Sequence, residues 1–242
     1  MYKIEEDYSK ILLSKKRRQF YVFMSVFTLI CVIIAFCTSY WLQSWPRIHS
    51  EFKRLGLWEF CLNGYTARRD IKMQSFFGCW WLFAPYYYPI QDLLTPAWFQ
   101  TVQAFFTLAF LLQLAINILL IFYGFKIIKH PERRALTSRI LFFSQIVSII
   151  LTFIAIVIFG CRCFDLYWMP RPELNWPSWS YGFAILSCFG MIFGSSAMYF
   201  IMREDKQILD NEQYSFPTHA STKVVKNKAT SLIAESATYS AV

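Results

Sequence analysis

The stretch Gly56-Leu57-Trp58-Glu59-Phe60-Cys61 lies in a polar, aromatic-rich segment, residues 43–96, between two long apolar runs. Disulfides persist in oxidising compartments, so a cysteine in this segment is suited to the outside of a cell. The Gly-Leu-Trp triplet predicts a tight bend that buries an aromatic side chain. We therefore expect this stretch to form the core of an extracellular domain on a membrane protein.

The composition places the chain in the membrane class. Its 242 residues are 56% hydrophobic and 16% charged, against about 25% charged residues in an average soluble domain. The net charge of +9 is typical of cytoplasmic loops, because Lys and Arg cluster beside the apolar runs. The basic residues do not lie on a soluble helix or an aromatic sheet. The lipid bilayer is therefore an expected partner, and nucleic acid is not.

Four apolar runs are each long enough to cross a hydrocarbon core, which needs about 20 residues. They predict an all-α membrane fold, a left-handed bundle of four transmembrane helices. The first run ends in interfacial aromatic residues rather than in the small residues of a signal peptide, so we expect it to be retained. The predicted segments, in order, are a cytoplasmic N-terminus (1–19), transmembrane helix 1 (20–42), extracellular loop 1 (43–96), transmembrane helix 2 (97–125), a cytoplasmic loop (126–139), transmembrane helix 3 (140–160), extracellular loop 2 (161–178), transmembrane helix 4 (179–202) and a disordered cytoplasmic tail (203–242).

The distribution of basic residues predicts the orientation in the plasma membrane. Residues 1–19 hold six Lys and Arg, and residues 126–139 hold five. Residues 161–178 hold two, and the much longer segment 43–96 holds six. Because basic loops stay in the cytoplasm, we expect both termini inside and the two cysteine-bearing loops outside.

Polar and small residues inside the apolar runs predict helix–helix contacts. Gln113 and Asn117 are four residues apart and share one helix face. We expect them to form interhelical hydrogen bonds, worth about 0.6–2 kcal/mol; a transport site is the alternative. Gly190 and Gly194 have the same spacing, which either allows two helix backbones to approach closely or is merely tolerated.

The sequence shows no pattern typical of catalysis or of metal binding. His49, His130 and His219 have no Cys, Asp or Glu at metal-ligand spacing. No phosphate-binding glycine loop and no Ser/His/Asp arrangement is present. The central parts of the apolar runs carry no charged residue, which argues against an ion pump. We therefore expect no enzymatic activity, no cofactor and no metal.

The first loop is rich in β-forming aromatic residues, and Asn63-Gly64 is a strong hairpin-turn signal. These features predict a small antiparallel sheet, whose core of about 50 residues is too small to be stable alone. A bridge between Cys61 and Cys79 would close a loop of about 19 residues, worth roughly 3 kcal/mol; two free thiols are the alternative. For Cys161 and Cys163 the sequence leaves three states open: pairing elsewhere, carrying a lipid chain or staying reduced.

Trp41, then Gly56-Leu57-Trp58-x-x-Cys61, then Cys79 resemble the signature of the claudin superfamily. This superfamily includes the claudins, the peripheral myelin and epithelial membrane proteins, and channel auxiliary subunits. The stretches 98–104 and 180–184 resemble the myelin-protein branch. The resemblance implies that Trp41, Gly56, Leu57 and Trp58 hold the sheet against the helices, and that a Cys61–Cys79 disulfide joins two strands.

Two departures from the vertebrate claudins are present. Cys61 and Cys79 have 17 residues between them, more than is usual in those proteins, and Gln103 stands where they tend to have arginine. An invertebrate claudin-like protein of septate junctions is the better match.

The resemblance implies a cell-junction protein that assembles with itself or with related claudin-like proteins, laterally and across cells. In this function it forms or organises a paracellular barrier. The alternative is an auxiliary or trafficking subunit of a channel or receptor.

The end of the chain resembles a ligand for PDZ domains. Ser240, Ala241 and Val242 place a hydroxyl two residues before a final valine. In that mode the carboxylate binds backbone amides, the valine fills an apolar pocket and the peptide adds a strand to a sheet. A cytoplasmic PDZ scaffold is therefore an expected partner.

Overall fold

The computed structural model describes the backbone of residues 2–45, 47, 49–66, 74–124, 130–165, 168 and 171–239, and their side chains except those of 2–8, 10, 213 and 215–239. The helices are α1 (Tyr2–Cys37), α2 (Gln91–Leu94), α3 (Ala97–Gly124), α4 (Pro131–Arg162) and α5 (Trp179–Tyr239). The strands are β1 (Leu42–Ser44), β2 (Phe52–Leu55), β3 (Glu59–Thr66), β4 (Ser75–Trp81) and β5 (Asn175–Pro177). Two 3₁₀ helices cover Pro85–Ile90 and Pro172–Leu174.

Four of the helices are long and apolar enough to cross a membrane. Their spans are Ile11–Cys37, Ala97–Gly124, Pro131–Arg162 and Trp179–Glu212. Helix α1 packs against α5 and α3, and α4 packs against the same two helices. The predicted bundle of four transmembrane helices is therefore confirmed, and the chain is a multi-pass membrane protein. The left-handed sense of the bundle stays a prediction.

Helix α1 ends earlier than the sequence predicted. We expected the helix to continue to residue 42, but it ends at Cys37. The backbone amide of Trp41 donates to the Leu55 carbonyl oxygen at 2.8 Å, and β1 begins at Leu42. Pairing with β2 therefore takes the place of further helical hydrogen bonds in these residues.

Helix α5 continues further than the sequence predicted. A disordered tail was expected after the fourth span, whereas the helix continues to Tyr239. Near the start of this extension Glu204 forms an ion pair with Arg17, and Asp205 forms one with Arg18. These ion pairs hold the start of the extension against α1, and a hydropathy profile contains no information about them.

The five strands form one antiparallel sheet in the order β4-β3-β2-β1-β5. Four of the strands belong to the polar segment between the first two spans, so the predicted sheet is confirmed. The fifth strand comes from the second loop, where the sequence predicted no strand. Its residue Trp176 pairs with Gln43 of β1. The sheet therefore joins the two loops at one end of the bundle.

The polar face of α3 makes the predicted interhelical hydrogen bonds. The Gln145 amide on α4 donates to Gln113 Oε1 at 3.3 Å. The Ser25 hydroxyl on α1 donates to Asn117 Oδ1 at 3.2 Å. The two amides therefore connect α3 to both of its neighbours inside the bundle.

Gly190 allows α1 and α5 to approach closely. A Cβ atom at this position would lie 2.6 Å from Thr28 Oγ1, closer than real Cβ contacts. At Gly194 the nearest heavy atom would be Met24 Cβ at 3.7 Å, which is an ordinary contact. Of the two alternatives, close approach therefore applies at Gly190, where alanine would force Thr28 to move, and tolerance applies at Gly194.

Candidate functional site

Trp41 lies where the sheet meets the helices. Its side chain is fully buried, and its indole N–H donates to the Ala35 carbonyl oxygen at 2.7 Å. The ring meets Phe106 of α3 and Phe159 of α4 edge-on, at centroid distances of 5.2 and 5.0 Å. Such pairs add about 0.5–1.5 kcal/mol to the free energy of burial. Trp41 therefore joins three helices to the sheet strand that its backbone pairs with.

Gly56 lies against the segment that follows α1. A Cβ atom there would come 2.5 Å from Ser39 Cα and 2.9 Å from the Thr38 carbonyl oxygen. Both neighbours are backbone atoms, so they cannot move aside as the end of a flexible side chain can. Only glycine fits between the sheet and the end of the first helix.

Leu57 and Trp58 fill the space between the sheet and the bundle. Leu57 is fully buried, and its carbonyl oxygen accepts a hydrogen bond from the Gln103 amide at 2.6 Å. Trp58 is half-buried, and its ring packs on Phe36 of α1 at a centroid distance of 5.4 Å. Gln103, which was only a departure from the vertebrate pattern in the sequence, thus binds the bend of the motif to α3.

Cys61 and Cys79 are joined by a disulfide, as the resemblance implies. The two residues lie directly opposite each other in the register of β3 and β4. The Arg54 guanidinium donates to Cys61 Sγ at 3.2 Å and lies over the Tyr40 ring at 4.7 Å. The disulfide therefore fixes the edge strand β4 to the sheet.

Glu59 brings its carboxylate near the same two sulfur atoms. The three ligand-type atoms of Glu59, Cys61 and Cys79 lie within 4.8 Å of one another, a cluster with the residue types of a metal site. Metals bind cysteine as a thiolate, and sulfur in a disulfide is not a thiolate. The two cysteines of this cluster therefore form a covalent link between β3 and β4, and Glu59 lies beside it.

Tyr87 is a buried residue of the site to which sequence reasoning gave no role. Its hydroxyl donates to the Phe60 carbonyl oxygen at 2.9 Å and to the Gly78 carbonyl oxygen at 3.3 Å. Burial raises the pKa of this hydroxyl above its ordinary value, and nearby Tyr86 and Glu59 act in the same direction. The only signal in the sequence was the cluster of three tyrosines between two prolines.

The outer strand of the sheet exposes a row of aromatic side chains. We name this surface the aromatic edge: Phe77, Trp80, Trp81, Phe83 and Tyr88. Of β4, only Phe76 is buried. The first three residues of the aromatic edge belong to β4, which has one strand neighbour among the described residues.

Side chains of the protein itself occupy two backbone groups of β4. The Phe77 amide donates to the Tyr86 hydroxyl at 3.1 Å, and the Trp80 indole N–H donates to the Phe77 carbonyl oxygen at 3.0 Å. Edge strands with free amides and carbonyls invite pairing with another chain. At Phe77 the Tyr86 and Trp80 side chains therefore block such pairing.

A basic groove of about 690 Å³ lies on another part of the sheet. Arg47, Lys53 and Arg54 line it together with His49, and no acidic side chain is among the lining residues. Arg54 is also paired with Glu59 at 3.9 Å, so Arg47 and Lys53 are the charges that make the local potential favourable to anions.

The remaining predicted residues are placed as follows. Cys161 is exposed and Cys163 is buried, and both are free thiols. Burial raises the pKa of the Cys163 thiol to about 11. The predicted PDZ ligand at 240–242 lies outside the described residues.

Four membrane-spanning helices and a disulfide-bonded sheet that joins both loops at one end define a class of small structural membrane proteins. The family model of the PMP-22/EMP/MP20/claudin tight-junction proteins matches residues 26–201, and the chain belongs to this family. Proteins of this family are structural membrane proteins rather than enzymes. No curated protein matches the chain.

Proposed function

We propose that the protein is a cell-junction component that assembles laterally and across cells, with copies of itself or with related claudin-like proteins. In this function it forms or organises a paracellular barrier of the septate-junction type. The observation that carries the proposal is the aromatic edge, a group of exposed aromatic side chains on and just after β4, the strand that a disulfide holds to the sheet. Exposed apolar side chains that lie close together mark contacts with other proteins or with a membrane.

The geometry of the aromatic edge favours contact through side chains. Tyr88 is 79% exposed, and Trp81 and Phe77 are 59% and 57% exposed. Large rings that are held rigidly lose little conformational entropy when a partner covers them, which is why aromatic residues dominate binding energies at interfaces. The sheet cannot yield easily, because Trp41 and the Leu57–Gln103 hydrogen bond hold it to the bundle.

The proposed orientation places the sheet outside the cell and both termini in the cytoplasm. The density of Lys and Arg in residues 1–19 and 126–139 supports it. In this orientation the final residues Ser240, Ala241 and Val242 face a cytoplasmic PDZ scaffold, which we propose as the second partner.

The test is the localisation of the tagged full-length chain in a polarised epithelium, with dye passage between cells as the functional measurement. Enrichment at lateral contacts, and dye leakage when the protein is lost, are the expected results. Uniform surface staining with co-purification of a channel would overturn the proposal and support the auxiliary-subunit alternative.

A matched pair of variants tests the role of the aromatic edge. Tyr88→Ser removes a ring that is 79% exposed at the aromatic edge, and Tyr214→Ser removes one that is equally exposed, at 79%, beyond the opposite end of the bundle. We expect Tyr88→Ser to leave folding and surface delivery intact and to reduce enrichment at contacts, and Tyr214→Ser to leave both unchanged. Equal enrichment of the two variants would remove the aromatic edge from the proposed function.

A further inference from the structure

A large cavity lies among α1, α3 and α5, at the end of the bundle opposite the sheet. Its volume is about 1170 Å³, far larger than a single water molecule requires. Its lining includes the apolar side chains of Val22, Phe23, Leu120, Phe200 and Ile201. It also includes the basic side chains of Lys15, Arg17, Arg18, Arg134 and Arg203. The cavity therefore combines the two surfaces that an amphiphilic ligand needs.

The charge of the cavity is positive even after its ion pairs are counted. Five Lys and Arg side chains line it against one acidic side chain, Glu204. Asp205, which pairs with Arg18 and Arg134, adds a second negative charge behind the lining. Among the described side chains, five positive and two negative charges leave a net charge of +3, so this lining favours an anion.

Three hydrogen-bond donors on one turn of α1 have no partner among the described residues. They are Nε of Arg17, Nε of Arg18 and the hydroxyl of Tyr21. All three residues line the cavity, and Tyr21 is only 2% exposed. Buried polar groups are nearly always hydrogen-bonded, so these donors indicate a missing acceptor. Phosphate oxygens are the acceptors that arginine binds best.

The position of the cavity along α1 indicates where its occupant comes from. The basic side chains of residues 15–18 lie near the start of the Ile11–Cys37 span, just before its uninterrupted apolar part, and we therefore place them among the lipid head groups. The apolar part of the lining follows directly along the same helix with Val22 and Phe23. A phospholipid presents its phosphate and its acyl chains in this order.

We propose that this cavity binds an anionic phospholipid from the membrane leaflet opposite the sheet. The phosphodiester accepts hydrogen bonds from Arg17, Arg18 and Tyr21, and an acyl chain lies along Val22, Phe23 and Phe200. The site is independent of the aromatic edge, and it does not require that the protein act at a junction.

The test measures lipids retained by the purified full-length protein, by native mass spectrometry, from detergent with equal amounts of dioleoylphosphatidylserine and dioleoylphosphatidylcholine. We expect phosphatidylserine to be retained about tenfold more, since both lipids have the same chains and phosphodiester but only phosphatidylserine is anionic. Equal retention of the two lipids would overturn the proposal.

Two further experiments test the contacts that the phosphate and the acyl chain make with the cavity. Tyr21→Phe removes a hydroxyl that has no partner in the described chain, so we expect the fold to stay intact and phosphatidylserine binding to weaken about fivefold. The control Tyr214→Phe changes a residue outside the cavity lining, and we expect this variant to bind phosphatidylserine as the wild type does. Unchanged binding by Tyr21→Phe would contradict the assigned phosphate position. In the second experiment, soluble glycerophosphoserine competes with phosphatidylserine for the cavity. If it displaces the bound lipid as effectively as free phosphatidylserine does, the acyl chain does not contribute, and a lipid as the occupant is overturned.

Discussion

Replacing Gly56 by alanine tests whether the contact between the sheet and the first helix determines the stability of the outer domain. The new Cβ atom would lie 2.5 Å from Ser39 Cα and 2.9 Å from the Thr38 carbonyl oxygen. Real Cβ atoms do not come so close, and both neighbours are backbone, so the sheet has to move away from the bundle. Overpacking of this kind costs about 1–3 kcal/mol.

An opposite effect has to be subtracted from this cost. Alanine restricts the unfolded chain more than glycine does, which stabilises a protein by about 0.4–1 kcal/mol when the native backbone tolerates alanine. The steric cost exceeds this gain over most of its range. With roughly 2–4 °C for each kcal/mol in a chain of this size, we expect the apparent Tm to fall by several degrees.

Gly182→Ala is the matched control, because a Cβ atom at Gly182 meets no heavy atom within 4 Å. It lies inside α5, where alanine is more stable than glycine by about 0.5–1 kcal/mol. The assay is thermal unfolding of the full-length protein in detergent, followed by tryptophan fluorescence. A Gly56→Ala protein that unfolds at or above the wild-type temperature, beside a Gly182→Ala protein that does the same, would refute the steric reasoning.

Three other predictions concern the cysteines and Tyr87. Cys61→Ser removes roughly 3 kcal/mol from the stability of the outer sheet, so we expect this variant to be retained inside the cell. The control Cys37→Ser changes a free thiol and should reach the surface. Normal surface delivery of both variants, measured by surface biotinylation, would contradict this prediction. In a Cys37→Ser background, a membrane-impermeant maleimide at pH 8 should label the exposed Cys161 on intact cells. Cys163 is buried and its pKa is raised to about 11, so it should react with the maleimide at least tenfold more slowly. Equal labelling rates of the two cysteines would disprove the burial of Cys163. Because burial raises the pKa of Tyr87 above the ordinary value of about 10, its neutral hydroxyl stabilises the fold below about pH 10, and this stability is lost as the pH rises further. The difference in Tm between wild type and Tyr87→Phe should therefore shrink between pH 8 and 11, and a constant difference would show that Tyr87 does not titrate with unfolding.

The four spans could be predicted from the sequence because hydropathy is a local property. Each apolar run is long enough to cross a bilayer by itself, so no knowledge of its neighbours is needed. The exact ends were less predictable. The end of α1 depends on whether Trp41 continues a helix or pairs with Leu55, and that partner is distant in the sequence. The contact that holds the start of the α5 extension joins Glu204 to Arg17, which are 187 residues apart.

The motif of the sheet was recognisable, but some of its supporting contacts were not. Gly56, Trp41 and the two bridged cysteines carry residue types and a spacing that a single sequence displays. Gln103 and Tyr87 act through one hydrogen-bonding group each, aimed at backbone carbonyls that any residue supplies. Every residue type has a backbone carbonyl group, so the sequence does not indicate which carbonyls accept these hydrogen bonds. For the same reason the three-residue strand β5, which has no alternating pattern, could not be distinguished from an irregular loop.

Because β5 comes from the second loop, the sheet can be completed only late in translation. Strand β1 has its partner β2 within residues 42–55, but its other side is completed only by Asn175–Pro177, just ahead of the fourth span. A nascent chain with three inserted helices therefore presents an open row of amides and carbonyls at β1. Unpaired strand edges of this kind make incomplete chains prone to aggregation, and β5 removes this one only when the fourth helix is about to be made.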